Sequence, residues 1–177
     1  MALFSRLFGA RQSAGQGLDL YHQALAASRR PCFYRAGVPD TVDGRFDLLV
    51  IHVWLLIRRL NRADAHALGQ QVFDVMFADM DDSLRELGTS DTAIGKRIKD
   101  MAQVFYGRAQ VYNTALDAND AAALEAAVQR NLLNDDTPNP DCCSAIAGYM
   151  FSAEKALAAQ ELADLAQSGP CYPPFAS

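Results

Sequence analysis

Three histidines, four cysteines and a run of aspartates are the side chains of this 177-residue chain that could ligate a metal or move a proton. Asp74, Asp79, Asp81 and Asp82 are clustered in sequence, as hard cations such as magnesium demand of their ligands. On a helix, however, Asp74 and Asp81 share one stripe while Asp79, Asp82 and Glu86 share another, so the four do not converge. No second acidic helix and no Glu-x-x-His pair accompanies them, and no metal is expected. Cys32, the vicinal Cys142 and Cys143, and Cys171 form neither a Cys-x-x-Cys nor a zinc-finger spacing. Reduced thiols are the expectation, with the vicinal pair serving as small core residues of an apolar helix. His22 and His66 fall at expected surfaces. His52 stands in an apolar helix, where a hydrogen-bonded structural role outweighs that of a general base. There is no Gly-x-Ser-x-Gly elbow, P-loop or dinucleotide fingerprint, so neither a nucleophile nor a cofactor is indicated.

The elements that must position these groups read as all-α. Six helical segments are separated by turn residues, and no alternation is long enough for a sheet. The first runs from about Leu18 to Arg29, before Pro31, and an extended crossing from Cys32 to Thr41 follows it. The second runs from Asp43 to Leu60, and from Phe46 to Leu60 it is apolar on nearly every face and so belongs at the centre of the domain. The third, from about Asp64 to Leu87, is amphipathic and stops at Gly88, a natural left-handed cap. The fourth spans about Asp91 to Leu116, with Gly107 marking a kink or a close approach. Asn119 is expected to cap the fifth, which ends near Leu132. After the turn Asn134 to Pro140, with Asn139 as cap, the sixth continues weakly to about Ala166. The division is thus an N-terminal segment (residues 1–17), a helical domain (18–168) and an extended proline-rich tail (169–177).

Two polar stripes emerge from this arrangement. Arg45, His52 and Arg59 are seven apart on the second helix, and Asp74, Asp81 and Arg85 share a face of the third. If these helices pack antiparallel, the stripes meet as an interhelical ion network, a structural device rather than a catalytic one. The large or flexible residues Phe33, Tyr34, Val38, Met76, Phe77 and Met80 suit a partner-binding surface as well as a core. Together with Asp40, Thr41 and Asp43, they make the crossing the preferred docking site. A rival reading is an enzyme or ligand-binding protein with its pocket beside His52, Asp74 and Asp81.

A net charge of -5 gives no electrostatic reason to expect a nucleic-acid partner. Met1 to Ala10 lacks the apolar run of a signal peptide and is too short to span a bilayer, so the expected location is cytoplasmic. Leu3, Phe4, Leu7 and Phe8 with Arg6 and Arg11 could form an interfacial foot on acidic lipid, although a frayed terminus is the plainer reading.

Several runs carry a family resemblance: PCFY at Pro31 to Tyr34, GVPDT at Gly37 to Thr41, DGRFDLL at Asp43 to Leu49 with His52 and Trp54 following, FDVMFADMDDSLRELG at Phe73 to Gly88, FYGR at Phe105 to Arg108 with Tyr112, and Arg130-Asn131. Through them, from about Tyr21 to Asn131, the chain resembles the ubiquinol-cytochrome c chaperone family. The resemblance implies an all-α, non-enzymatic assembly factor that holds newly made cytochrome b on its way into the cytochrome bc1 complex. It also implies a small partner subunit in some members, and it brings no catalytic residues.

Overall fold

The segment from Leu48 to Leu56 is buried at every position, and a helix enclosed on all sides must be the axis of its domain. Each fully buried Val, Leu or Ile side chain contributes roughly 1.5–3 kcal/mol, so this stretch is a large single contribution to the core. The computed structural model describes residues 2–133 and 138–175, with side chains from Gly15 onward. The central helix is α3 (Val42–Arg62), preceded by α1 (Ala2–Ser28) and the short α2 (Pro31–Arg35). It is followed by α4 (His66–Glu86), α5 (Asp91–Asp117), α6 (Ala121–Val128) with a π turn at Gln129–Leu133, α7 (Pro140–Ala159) and α8 (Leu162–Ser168). No strand occurs among the described residues. α1 and α4 cover one side of α3 and α7 another, while α5 bridges from α4 to α6.

Several expectations are met. The third and fourth expected helices appear as α4 and α5, Gly88 closes α4 with φ 79°, and Asn139 caps α7 by accepting from the Cys142 N–H at 3.1 Å. Others are corrected. α1 does not start at Leu18 but continues back to Ala2, and the side chains named for a lipid-facing foot lie outside the described residues. The crossing is not extended throughout, because Pro31 supplies the first turn of α2. That helix is closed at Gly37, whose φ of 114° favours glycine.

Further along, Asn119 adopts a left-handed φ of 50° and cedes the cap of α6 to Asp120, which accepts from the Ala123 N–H at 2.9 Å. Gly107 has open space where a Cβ would sit, so it marks no close approach. The expected sixth helix breaks at Gln160, and α8 begins afresh at Leu162. In the turn after α6, residues 134–137 lie outside the described residues. No described helix is long and apolar enough to cross a membrane.

The described part of the C-terminal tail is tied to the domain. Arg30 donates to the Pro173 carbonyl at 2.8 Å, the Gln160 amide holds Gly169 O and Cys171 N, and the Tyr172 hydroxyl donates to the His52 carbonyl at 2.7 Å.

Candidate functional site

The start of α3 forms one wall of an open cleft of about 580 Å³. The chain enters it from the crossing: Thr41 caps α3, its hydroxyl accepting from the Gly44 N–H at 3.1 Å. A Cβ at Gly44 would lie 2.1 Å from the Pro39 carbonyl oxygen, so the crossing can fold this tightly over the first turn only because residue 44 has no side chain. One turn after Asp43 comes Asp47, which is buried and ion-paired to Arg108 of α5. Arg108 also donates to the Asn131 carbonyl at 3.1 Å, so one guanidinium joins α3, α5 and the π turn. Arg130, Asn131, Leu132 and Leu133 complete the far wall. The π turn sets these residues at an angle that a continued α-helix would not.

Burial pushes the Asp47 carboxyl up to about 6, Asp43 adds to the rise, and Arg108 opposes it. Polar side chains of the cleft are already engaged within the chain. The Thr41 hydroxyl is bound to the Gly44 N–H and the Asp47 carboxylate to Arg108. The lining combines the carboxylates of Asp43 and Asp47, the guanidinium groups of Arg108 and Arg130, and the amide of Asn131.

The structure separates the nine residues expected to bind a partner. Phe33, Val38 and Met76 are core residues, at most 3% exposed, and are withdrawn from any docking surface. Tyr34, Phe77 and Met80 are half-buried; Asp40, Thr41 and Asp43 are exposed. Asp40 pairs with Arg45 at 2.6 Å, both side chains about half exposed.

The interhelical network of Arg45, His52, Arg59, Asp74, Asp81 and Arg85 does not form as expected. Arg45 turns back to Asp40, Asp74 accepts from Gln70 at 2.7 Å, and Asp81 pairs with Arg85 along α4, with Arg85 also reaching Asp91 at 2.5 Å. Arg59 instead donates to the carbonyls of Leu157 and Gln160, both at 2.7 Å, capping the C-terminus of α7. The network that does exist uses the neighbouring register: Arg58 and Arg62 both bridge Asp117 of α5 and Glu154 of α7 at 2.6–2.8 Å. The seven-residue spacing is correct for one helical face, but burial on all sides of α3 gives that face no priority.

His52 has no exposed surface. The Leu48 carbonyl, 2.7 Å from Nδ1, can only accept, so Nδ1 carries the proton and Nε2 accepts from the Tyr149 hydroxyl at 2.8 Å. Burial pushes the imidazole down to about 4, keeping it neutral. Phe33 packs edge-on at 5.4 Å and Tyr172 at 5.0 Å between centroids. Asp74 lies exposed on α4 and Asp81 is bonded along it, so the pocket required by the enzyme reading is not assembled. Sequence reasoning missed the Asp47–Arg108 pair and the roles of Tyr149 and Tyr172. The only signal was a carboxylate inside an otherwise apolar helix, which needs a partner somewhere.

Comparison with known proteins adds to this geometry. The family model for ubiquinol-cytochrome C chaperone matches residues 34–172, reaching past the stretch on which the sequence resemblance rested. The chain is similar to ubiquinol-cytochrome-c reductase complex assembly factor 1 of Xenopus laevis, with 25% identity over 111 residues, 61% of this chain. It spans about half the length of that curated relative, 54%. Its fold is similar to the crystal structure of the Cbp3 homolog from Brucella abortus, with a TM-score of 0.87 and 34% identity over 99% of this chain and 98% of that one.

Proposed function

The chain belongs to the ubiquinol-cytochrome C chaperone family, and we propose that it acts without catalysis as an assembly chaperone for the cytochrome bc1 complex, binding newly made cytochrome b. The observation that carries this reading is convergence. Thr41, Asp43, Asp47, Arg108 and Asn131 come from four segments of the chain, each within a run that bears the family resemblance, and they meet in the one cleft. Their mutual ion pair and hydrogen bonds fix the cleft's shape, and a preformed surface binds a polypeptide without a large ordering cost.

The mechanism is masking. The cleft, with exposed Thr41 and Asp43, and the adjoining crossing, with exposed Asp40 and half-buried Tyr34, cover a polar face of unassembled cytochrome b until its partners arrive. Such a client is embedded in the membrane, so the chaperone works at the inner membrane face, where a small partner subunit can share the load. The acidic balance of the chain favours protein contacts over nucleic acid.

The test is deletion of the gene in its respiring host, read by the b-type haem spectrum and bc1 activity, with complementation by wild type and by Asp43→Lys plus Arg130→Glu. Loss of b-type haem, restored by wild type and not by the cleft variant, is expected. Normal bc1 assembly in the deletion strain would overturn the proposal.

A further inference from the structure

On the other face of α5, away from Arg108, an open groove of about 460 Å³ separates α5 from the second half of α3. Its walls are Trp54, Ile57 and Asn61 of α3 and Tyr106, Ala109 and Asn113 of α5. The spacing on both walls is three then four residues, and on α5 the same seam runs back through Ala102 to Lys99. Two helices that each turn such a seam toward a shared gap present the surface a third helix fills with knobs-into-holes packing.

Within the fold this place is empty, since α5 packs on α4 and α6 and barely meets α3. Apolar surface is left uncovered as a result: Tyr106, on the groove wall, is 58% exposed. Trp54 is 2% exposed, yet its indole N–H has no hydrogen-bond partner among the described residues, a donor left waiting at the groove wall.

Charge narrows the occupant. At the inner end, Arg58 and Arg62 are already neutralised by Asp117 and Glu154. Toward the other end, Lys99, which continues the α5 seam two turns beyond Tyr106, is exposed without an ion pair to any described carboxylate. We propose that this groove docks an amphipathic helix of another protein, apolar along its buried seam and bearing carboxylates where it passes Lys99. The proposal stands apart from the assembly reading, because it concerns a different face and is tested on the purified chain.

Trp54 is the sole tryptophan, so its fluorescence reports the groove directly. The probe is a synthetic, tryptophan-free helical peptide of about 18 residues, roughly 27 Å long, with leucines on a three-four seam and glutamates flanking it. Its twin carries lysines in place of the glutamates. The acidic peptide should shift Trp54 emission saturably and bind at least about tenfold more tightly than its twin. Lys99→Glu, at an exposed position that leaves folding intact, should abolish that preference, and Ala109→Arg should block both peptides.

Unchanged Trp54 emission with both peptides, or equal affinity for the two, would overturn the proposal. So would sedimentation showing that the chain dimerises without peptide and that Ala109→Arg renders it monomeric, because the groove would then belong to a second copy.

Discussion

His52 and Asp47 lie five residues apart on the same buried helix, yet the structure treats their ionisable groups in opposite ways. His52 is fully enclosed, both ring nitrogens are engaged, and burial holds it neutral with its pKa down to about 4. Asp47 sits at the rim of a cleft opposite a guanidinium, with burial raising its carboxyl to about 6. Desolvation is met by neutrality in the first case and by a counter-ion in the second. Neutrality suits a closed junction, here of α2, α3, α7 and the tail. A counter-ion permits an opening, since a charged pair tolerates water beside it. The lesson is that one helix can carry a closed scaffold junction and the wall of an open cleft within two turns, separated by how each polar group is satisfied.

The most forceful way to break the comparison is to empty the closed side. Phe33 has no exposed surface and packs on His52, Tyr149 and Phe175. Phe33→Ala should cost about 3–5 kcal/mol in chemical denaturation. The surviving folded molecules should bind their client as before, because the cleft is built from other residues. If client binding per folded molecule fell in step with stability, the two regions would be one unit and the comparison would fail.

Cutting the open side at its ion pair should cost somewhat less. Arg108→Met leaves Asp47 without its counter-ion, and the side chains are only 10% and 17% exposed, so a loss of roughly 3 kcal/mol at neutral pH is expected. Adding Asp47→Asn to that variant should recover most of the loss, as measured by the urea midpoint. No recovery would mean that Arg108 matters through its bond to the Asn131 carbonyl instead.

Acidity distinguishes the two groups by sign. The folded pKa of Asp47 is raised, so its contribution to stability is fully present below the ordinary value of 3.8 and is lost as pH climbs through about 6. The folded pKa of His52 is lowered, so its contribution is present above 6.5 and is lost as pH falls through about 4. Each amounts to roughly 3 kcal/mol, and between pH 4 and 6 the two slopes oppose one another. Asp47→Asn should therefore steepen the acid loss of stability, whereas His52→Gln should reverse it. Urea titrations at intervals across that range would show both, and parallel curves for the two variants would defeat the assignment.

How far these regions were legible in the sequence follows from the same physics. The buried state of Leu48 to Leu56 was readable because apolar residues fall on every helical face. The ends of α4, α5 and α7 were readable from Gly88, Asp91 and the Asn139-Pro140 pair, each a local signal. The partners of the polar residues were not readable. Helical spacing places Arg58 and Arg59 on adjacent stripes and is silent on which meets Asp117 and which meets the end of α7. Asp47 and Arg108, 61 positions apart, are joined only by the way α5 crosses α3, and no period in either helix announces that crossing.

The smallest change in stability should separate the regions most sharply. Asp43 is exposed in the first turn of α3, where a carboxylate gains about 0.3–1 kcal/mol from the helix dipole. Asp43→Lys forfeits that gain but removes the like charge that helps raise Asp47 and puts a cation in its place. The Asp47 pKa should then fall toward its ordinary value, and the stability lost between pH 4 and 6 should shrink. Net destabilisation at neutral pH should thus stay below about 1 kcal/mol, while capture of cytochrome b, measured by co-purification from membranes of the respiring host, should drop by at least about tenfold. A variant that folds normally and still captures its client would remove the cleft from the function and leave the α3–α5 groove as the face to pursue.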